Sequence, residues 1–422
     1  MKPVAVVGGG WAGLACAIHL ADARIPVTLF ESARQLGGRA RTVTWDGLSV
    51  DNGQHLMLGA YRETLALLRR LGTQDLVERR PMALHQPGFR LRLPGLPPPL
   101  HLAVGLLQAQ GLGWRDKLAA IRLMRRLKRQ GFRLPGDTSA AAFLRDQPTT
   151  LVDRLWGPIC LAALNTPLAQ ASAQVLCNVL RDSLMGRGGD SDLILNRTDL
   201  GRLVPTPAGE HLVRVGATIR LATRVQGIHA CDGGYFLRGP EESFACVVLA
   251  THPAQVRDLT GTLPGLAPIH AQLDRFTWQP ILTLWLRFAH TPTFPFPMLA
   301  LGPGQAAWAF ERSDLGDGVV SLVASATGHH MEPTAAHPLD TALMQLRRAL
   351  GPLPALLAWK RIAEKRATYA CVPGLSRPDN ITPLPHLYLA GDYTAGPYPA
   401  TFEAAVRSGV QCAHLILSRM VR

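Results

Sequence analysis

The chain has 422 residues, 47% hydrophobic and 18% charged, which is enough for two or three domains with shared cores and too apolar for a disordered protein. Its 44 Lys and Arg against 30 Asp and Glu leave a net charge of +14, which favours polyanions (nucleic acid or an anionic membrane face) without choosing between them. No run of about 18 uninterrupted apolar residues is present, Val4 to Val7 leads straight into glycines rather than into a secretory leader, and the seven cysteines form neither a C-x-x-C pair nor a metal-ligand pattern with histidine. These features predict a cytoplasmic chain with reduced thiols and no structural metal.

The opening "KPVAVVGGGWAGLACAIHLADARIPVTLFES" predicts a buried strand, a glycine turn, a helix and a second strand ending at Glu31. Gly8, Gly10 and Gly13 form G-x-G-x-x-G around Trp11 and Ala12, with the acid about 20 residues on. The first glycine permits the turn, the second lets a diphosphate approach amides at a helix N-terminus, and the third allows close helix–strand packing. Glu31 is suited to accept hydrogen bonds from an adenosine ribose. Helical signals dominate from Tyr61 to about Leu180, broken by the proline-rich "LPGLPPPL". Within them "RDKLAAIRLMRRLKRQGF" mixes Arg122, Arg125, Arg126, Lys128 and Arg129 with Leu118, Ile121, Leu123, Met124 and Leu127. Two readings are open: a helix lying on an anionic bilayer, or an ordinary helix with a solvated basic face. The stretch from Arg202 to Gly239 reads as short apolar strands and Gly-rich turns, and "ACVVLATHPAQV" as a buried strand entering a helix. Three strands of a separate sheet are predicted between Ile281 and Ala326; "GPGQAAW" echoes the glycine pattern there but reads as a hairpin turn. A helix over "DTALMQLRRALG" follows, then a closing strand, loop and long helix. No internal repeat appears, so the domains interleave.

"ESARQLGGRARTV" places Gly37, Gly38, Arg39 and Arg41 directly after the ribose-binding acid, and "YLAGDYTAGPYPATFEAAVRSG" stands near the C-terminus. Together they resemble the flavin amine oxidoreductase superfamily. That resemblance implies FAD, with Gly38, Arg39 and Arg41 at the diphosphate and Gly391 and Asp392 at the diphosphate and ribityl chain. It sets Ala400 and Thr401 against the flavin ring, and the Val225 backbone of "TRVQGI" against adenine. A second helix N-terminus there suits the negative charge of a reduced flavin. The implied fold is α/β: a Rossmann-like FAD-binding domain of the glutathione-reductase type, assembled from residues 1–85, 205–265 and 365–422. It is joined to a substrate domain with a helical part, 86–204, and a mixed sheet with a helix, 266–364.

"DNGQHLMLGAYRET", "WGPICLAALNTP" and "ATYACVPG" further resemble the hydroxysqualene dehydroxylases, with phytoene-desaturase-like enzymes as relatives. The implied reaction replaces the hydroxyl of hydroxysqualene with hydride to give squalene; a desaturase, or a non-catalytic flavin- and lipid-binding protein, are the rival readings. The expected partners are this isoprenoid and the inner face of an anionic membrane, not nucleic acid. With a single dinucleotide fingerprint, the electron donor is external. Gly53, Gln54 and His55 fall where the superfamily's chain passes the flavin ring. His55 has two open roles: proton donor to the departing oxygen, since an unperturbed histidine titrates near neutrality, or hydrogen-bonding group to flavin or backbone. Tyr393 and Tyr398 are rival donors. Cys371 lies off the spacing for a covalent flavin tether and reads as a buried hydrophobe. Asn165 either bonds a substrate oxygen or caps a turn, and Trp285, Trp308 and Phe310 either line a pocket or fill the sheet core.

Overall fold

The computed structural model describes residues 3–301, 307–326 and 338–420. Gly302 and Gly304, the supposed hairpin turn, lie outside the described residues. The strands Val4–Val7 and Val27–Phe30 are buried on both faces, as parallel strands covered by helices must be. Their sheet has the order Thr218–Arg220, Val27–Phe30, Val4–Val7, Cys246–Leu249, Leu387–Leu389, with every pair parallel. Trp11–Asp22 connects Val4–Val7 to Val27–Phe30 and is sandwiched by Pro205–Arg214 and the C-terminal helix Phe402–Met420. Gly409 permits the last contact, because a Cβ there would stand 2.1 Å from the Ala12 carbonyl oxygen.

Two stretches differ from their sequence reading. Residues 200–214 are helical rather than stranded: Asp199 caps the amide of Arg202, Pro205 opens the next helix, and Val204, Ala208 and Leu212 recur every four residues on the buried face. Strands also interrupt the stretch expected to be helical, at Val77–Arg80, Ala83–Gln86 and Phe89–Arg92. In "FRLR" Phe89 and Leu91 are buried and both arginines exposed, a period of two that favours a strand.

The second sheet has the order Met298–Ala300, Ala307–Glu311, Val319–Ser325, Trp278–Phe288, Leu356–Tyr369. It was expected to be mixed, yet every pair is antiparallel, since its strands follow one another as hairpins or return directly along a neighbour. The fourteen-residue edge strand Leu356–Tyr369 carries no sequence prediction, its run of Lys, Arg and Glu having masked the alternation. Helices Leu100–Gln108, Trp114–Arg129, Gly157–Leu164 and Ala173–Leu184 form a separate layer, and the hairpin strand Ala83–Gln86 links it to Met298–Ala300.

Candidate functional site

One cavity of about 890 Å³ runs between the two sheets and beneath the helical layer. Its polar end is built on the glycine turn. A Cβ on Gly13 would sit 1.9 Å from the Gly8 carbonyl oxygen, and Gly8 itself holds φ +114° against the backbone of Ala250, so these two glycines serve packing and turn geometry. Gly10 differs: a Cβ there meets no heavy atom within 4 Å and would project into the cavity. Glu31 accepts hydrogen bonds from the amides of Gly9 and Ala33, both 2.8 Å, which fix its carboxylate at the rim with lone pairs to spare. Arg39 ties together remote parts of the chain, donating to Asp392 at 2.7 Å and to the Ala367 carbonyl at 2.6 Å, while Arg41 donates to the Gly38 carbonyl at 2.8 Å. Trp11, Ala12, Gly38, Val225, Gly391, Ala400 and Thr401 border the same end. Amides at a helix start, two guanidinium groups and a carboxylate at the ribose distance match the chemistry of a dinucleotide. The structure gathers these sequence-predicted residues around one cavity, and it leaves Gly13 behind the wall, where it serves the helix–strand packing assigned to it.

The segment Asp51–His55 is braced by residues far away in the chain. Asp51 is fully buried, accepts from the Leu200 amide at 2.7 Å and faces Arg312 at 3.4 Å. Arg312, 3% exposed, also pairs with Asp314 at 2.9 Å, donates to the Gln54 side-chain oxygen at 2.5 Å and lies over the Trp285 ring. Burial raises the Asp51 carboxyl to about 6 despite the Arg312 charge. Arg312 escaped the sequence reading, its only signal being a cation ending the apolar strand "AWAF".

His55 points its Nδ1 at the Gly53 carbonyl oxygen, 2.6 Å away. A carbonyl only accepts, so Nδ1 carries the hydrogen and Nε2 is bare in the neutral ring. Burial, reinforced by the positive charges of Arg39 and Arg312, pushes its pKa down to about 4. This corrects the expectation of a ring titrating near neutrality: at neutral pH His55 is an acceptor with no proton to give from Nε2. The ring stacks on Phe402, centroids 4.9 Å apart, and Phe402 on Trp11 at 4.0 Å, so one aromatic column joins the glycine helix, the C-terminal helix and this loop.

The remaining candidates separate. Tyr393 and Tyr398 both border the cavity; the Tyr393 hydroxyl has no hydrogen-bond partner among the described residues, and Tyr398 packs edge-on against Tyr61. Asn165 ends helix Gly157–Leu164 in the left-handed region at φ 45°, and its side chain faces the cavity region beside Thr368. Cys371 is buried away from the cavity, and burial holds its thiol up at about 12, so no thiolate is available to a flavin. Trp285 is sheet core, donating from Nε1 to the Asp51 carbonyl at 3.1 Å, whereas Trp308 and Phe310 line the cavity. With them the apolar side chains of Met82, Leu84, Ile159, Ala162, Ala163, Val179, Met298 and Val323 line the cavity. Among the described residues no group of three or more His, Cys, Asp or Glu is placed to hold a metal ion.

Helix Trp114–Arg129 turns Ala120, Leu123, Met124 and Leu127 inward, so most of its apolar side chains are core rather than surface. Its outer face carries Trp114, 68% exposed, and Leu118, then Arg122, Arg125, Arg126, Lys128 and Arg129, none in an ion pair among the described residues. No described helix is long and apolar enough to cross a membrane.

The flavin containing amine oxidoreductase family model matches residues 11–417. A hydroxysqualene dehydroxylase of Rhodopseudomonas palustris is 29% identical over 443 residues, covering 99% of each chain. A 15-cis-phytoene desaturase of Synechococcus elongatus is 25% identical, covering 99% of this chain and 96% of its own. Among solved structures, a putrescine oxidase bound to putrescine shares the fold with a TM-score of 0.74 at 19% identity, covering 99% of both chains. A cradle suited to a dinucleotide, this fold and a family match over nearly the whole length agree: the chain is an FAD-dependent oxidoreductase and belongs to the flavin containing amine oxidoreductase family.

Proposed function

We propose that this enzyme reductively removes the hydroxyl group of hydroxysqualene to give squalene. The observation that carries the reading is the continuity of the cavity: one space is lined both by the dinucleotide cradle and by a set of apolar side chains that includes Met82, Leu84, Ile159 and Val179. Such a shape holds a long isoprenoid chain with one functional group beside the cofactor. The likeness to a hydroxysqualene dehydroxylase over 99% of both chains supports it, and the lower identity to a phytoene desaturase favours desaturation less.

In this reading the amides of Gly10, Trp11 and Ala12, with Gly38, Arg39 and Arg41, hold the FAD diphosphate. Glu31 takes the adenosine ribose, the Val225 backbone the adenine, and Gly391 and Asp392 the ribityl end. Gly53, Gln54, His55, Ala400 and Thr401 border the ring. FAD held there and reduced by two electrons would supply the hydride that replaces the hydroxyl, returning to its oxidised form. The departing oxygen takes a proton and leaves as water. Bare Nε2 makes His55 a hydrogen-bond acceptor that orients its neighbour, so the proton comes from a tyrosine on the same wall, Tyr393 or Tyr398. A water-insoluble substrate also needs a route from lipid. Residues 89–136 contain ten Lys and Arg against one Asp, and Leu96, Leu100, Leu107, Trp114 and Leu118 are exposed there, so this segment rests on an anionic membrane face. The single fingerprint leaves reduction of the flavin to an external donor.

The test is anaerobic. Photoreduced enzyme mixed with hydroxysqualene should regain the oxidised flavin spectrum and form squalene in matching amount. Flavin that stays reduced, while oxidised enzyme is bleached by phytoene, would make the enzyme a desaturase.

A further inference from the structure

We propose that Asn165 and Thr368 together recognise the hydroxyl of the substrate, an inference that rests on the dehydroxylation reading and names the groups that make it selective. The two side chains meet from positions 203 residues apart: the Asn165 amide donates from Nδ2 to the Thr368 hydroxyl at 2.9 Å. Both are buried, and both border the cavity. Among the described residues the Asn165 side-chain oxygen Oδ1 has no hydrogen-bond partner, and no acceptor takes the Thr368 hydroxyl hydrogen. Turning the amide over does not remove the deficit, because the threonine hydroxyl donates as readily as it accepts and the outer amide atom stays unmet. The pair stands beside the cradle, since Arg39 donates to the carbonyl of Ala367, the residue preceding Thr368.

The turn itself does not require this amide. A left-handed residue closes helix Gly157–Leu164, and glycine would close it equally well. The neighbouring Thr166 hydroxyl already secures the turn, donating to the Leu164 carbonyl and accepting from the Cys371 amide, both at 2.9 Å. What the asparagine adds is a buried polar group with an unmet bond on the cavity wall, an arrangement that native interiors rarely leave without a partner. An alcohol offers both a donor and an acceptor, and so satisfies the amide and the threonine hydroxyl at once. A hydrocarbon satisfies neither, so the pair holds substrate in preference to product and helps product leave.

The test titrates oxidised, FAD-loaded enzyme, which has no electrons to reduce the ligand, with hydroxysqualene and with squalene in the same detergent, reading the shift in flavin absorbance. Wild type should bind the alcohol about tenfold or more tightly than the hydrocarbon, the scale set by one unmet buried hydrogen bond. Asn165→Gly, which keeps the left-handed turn, should weaken alcohol binding by about that factor, leave squalene binding unchanged and raise KM more than it lowers kcat. Thr368→Val should shift the ratio the same way, and it decides the matter alone if Asn165→Gly loses its flavin. Equal wild-type affinities, or an unchanged ratio in a flavin-loaded variant, overturn the inference. Failure of reduced wild-type enzyme to make squalene instead overturns the function on which it rests.

Discussion

Gly10 and Gly13 lie three residues apart in one motif, yet replacing them should produce opposite phenotypes. At Gly10 the backbone has φ −76° and ψ 176°, ordinary for any residue, and a Cβ meets nothing within 4 Å. Gly10→Val should therefore change apoprotein stability by no more than about 0.5 kcal/mol, the scale of a substitution that makes no contact. Its three added carbons fill space in the cradle, and overpacking of about 1–3 kcal/mol or more corresponds to roughly a five- to hundredfold or greater loss of FAD affinity. At Gly13 a Cβ stands 1.9 Å from the Gly8 carbonyl oxygen. Both partners are backbone, so no rotamer relieves the clash, and Gly13→Ala should cost the fold about 3 kcal/mol, the top of the overpacking range, or more. The assay is the flavin-to-protein absorbance ratio after gel filtration, paired with thermal melts of the apoproteins. Full FAD occupancy in Gly10→Val, or a wild-type melt for Gly13→Ala, would refute the division of labour between the two glycines.

Replacing Arg122, Arg125, Arg126 and Arg129 with Glu should weaken co-sedimentation with anionic vesicles by orders of magnitude, since each cation contributes about 1 kcal/mol, while FAD content stays unchanged. Unaltered sedimentation would remove this helix from membrane docking. His55 has a folded pKa of about 4 against 6.5 unfolded, so the unfolded chain takes up its proton first as pH falls and stability is lost between about 6.5 and 4. His55→Asn should lose about 2 kcal/mol less than wild type between pH 7 and pH 4.5 in urea unfolding. An identical acid slope in both proteins would show that the ring is not held neutral. Arg312→Met leaves Asp51 and Asp314 buried without their cation and should cost about 3–5 kcal/mol in the same unfolding assay, with looser flavin binding as the Gln54 and His55 loop loses its brace.

The cradle was legible in the amino-acid order because its parts are local. A glycine turn, a helix start and an acid at the end of the next strand lie within 31 residues, and their backbone amides act wherever the helix forms. Arg39 and Arg41, like the remote Val225, Gly391 and Asp392, were assigned to the cofactor through the family resemblance rather than through spacing. Periodicity failed where two patterns competed, in the capped helices at 200–214 and in the charged edge strand Leu356–Tyr369. The properties that govern the chemistry belong to the tertiary structure alone. His55 has an ordinary histidine sequence context, and only burial, the Gly53 carbonyl and the charges of Arg39 and Arg312 make it a neutral acceptor. Arg312 reaches Asp51 across 261 residues, and Asn165 meets Thr368 across 203. Hydrogen-bond partners and proton affinities depend on which groups share a space from which water has been removed, and chain folding assembles that space from segments whose spacing along the sequence carries no record of it.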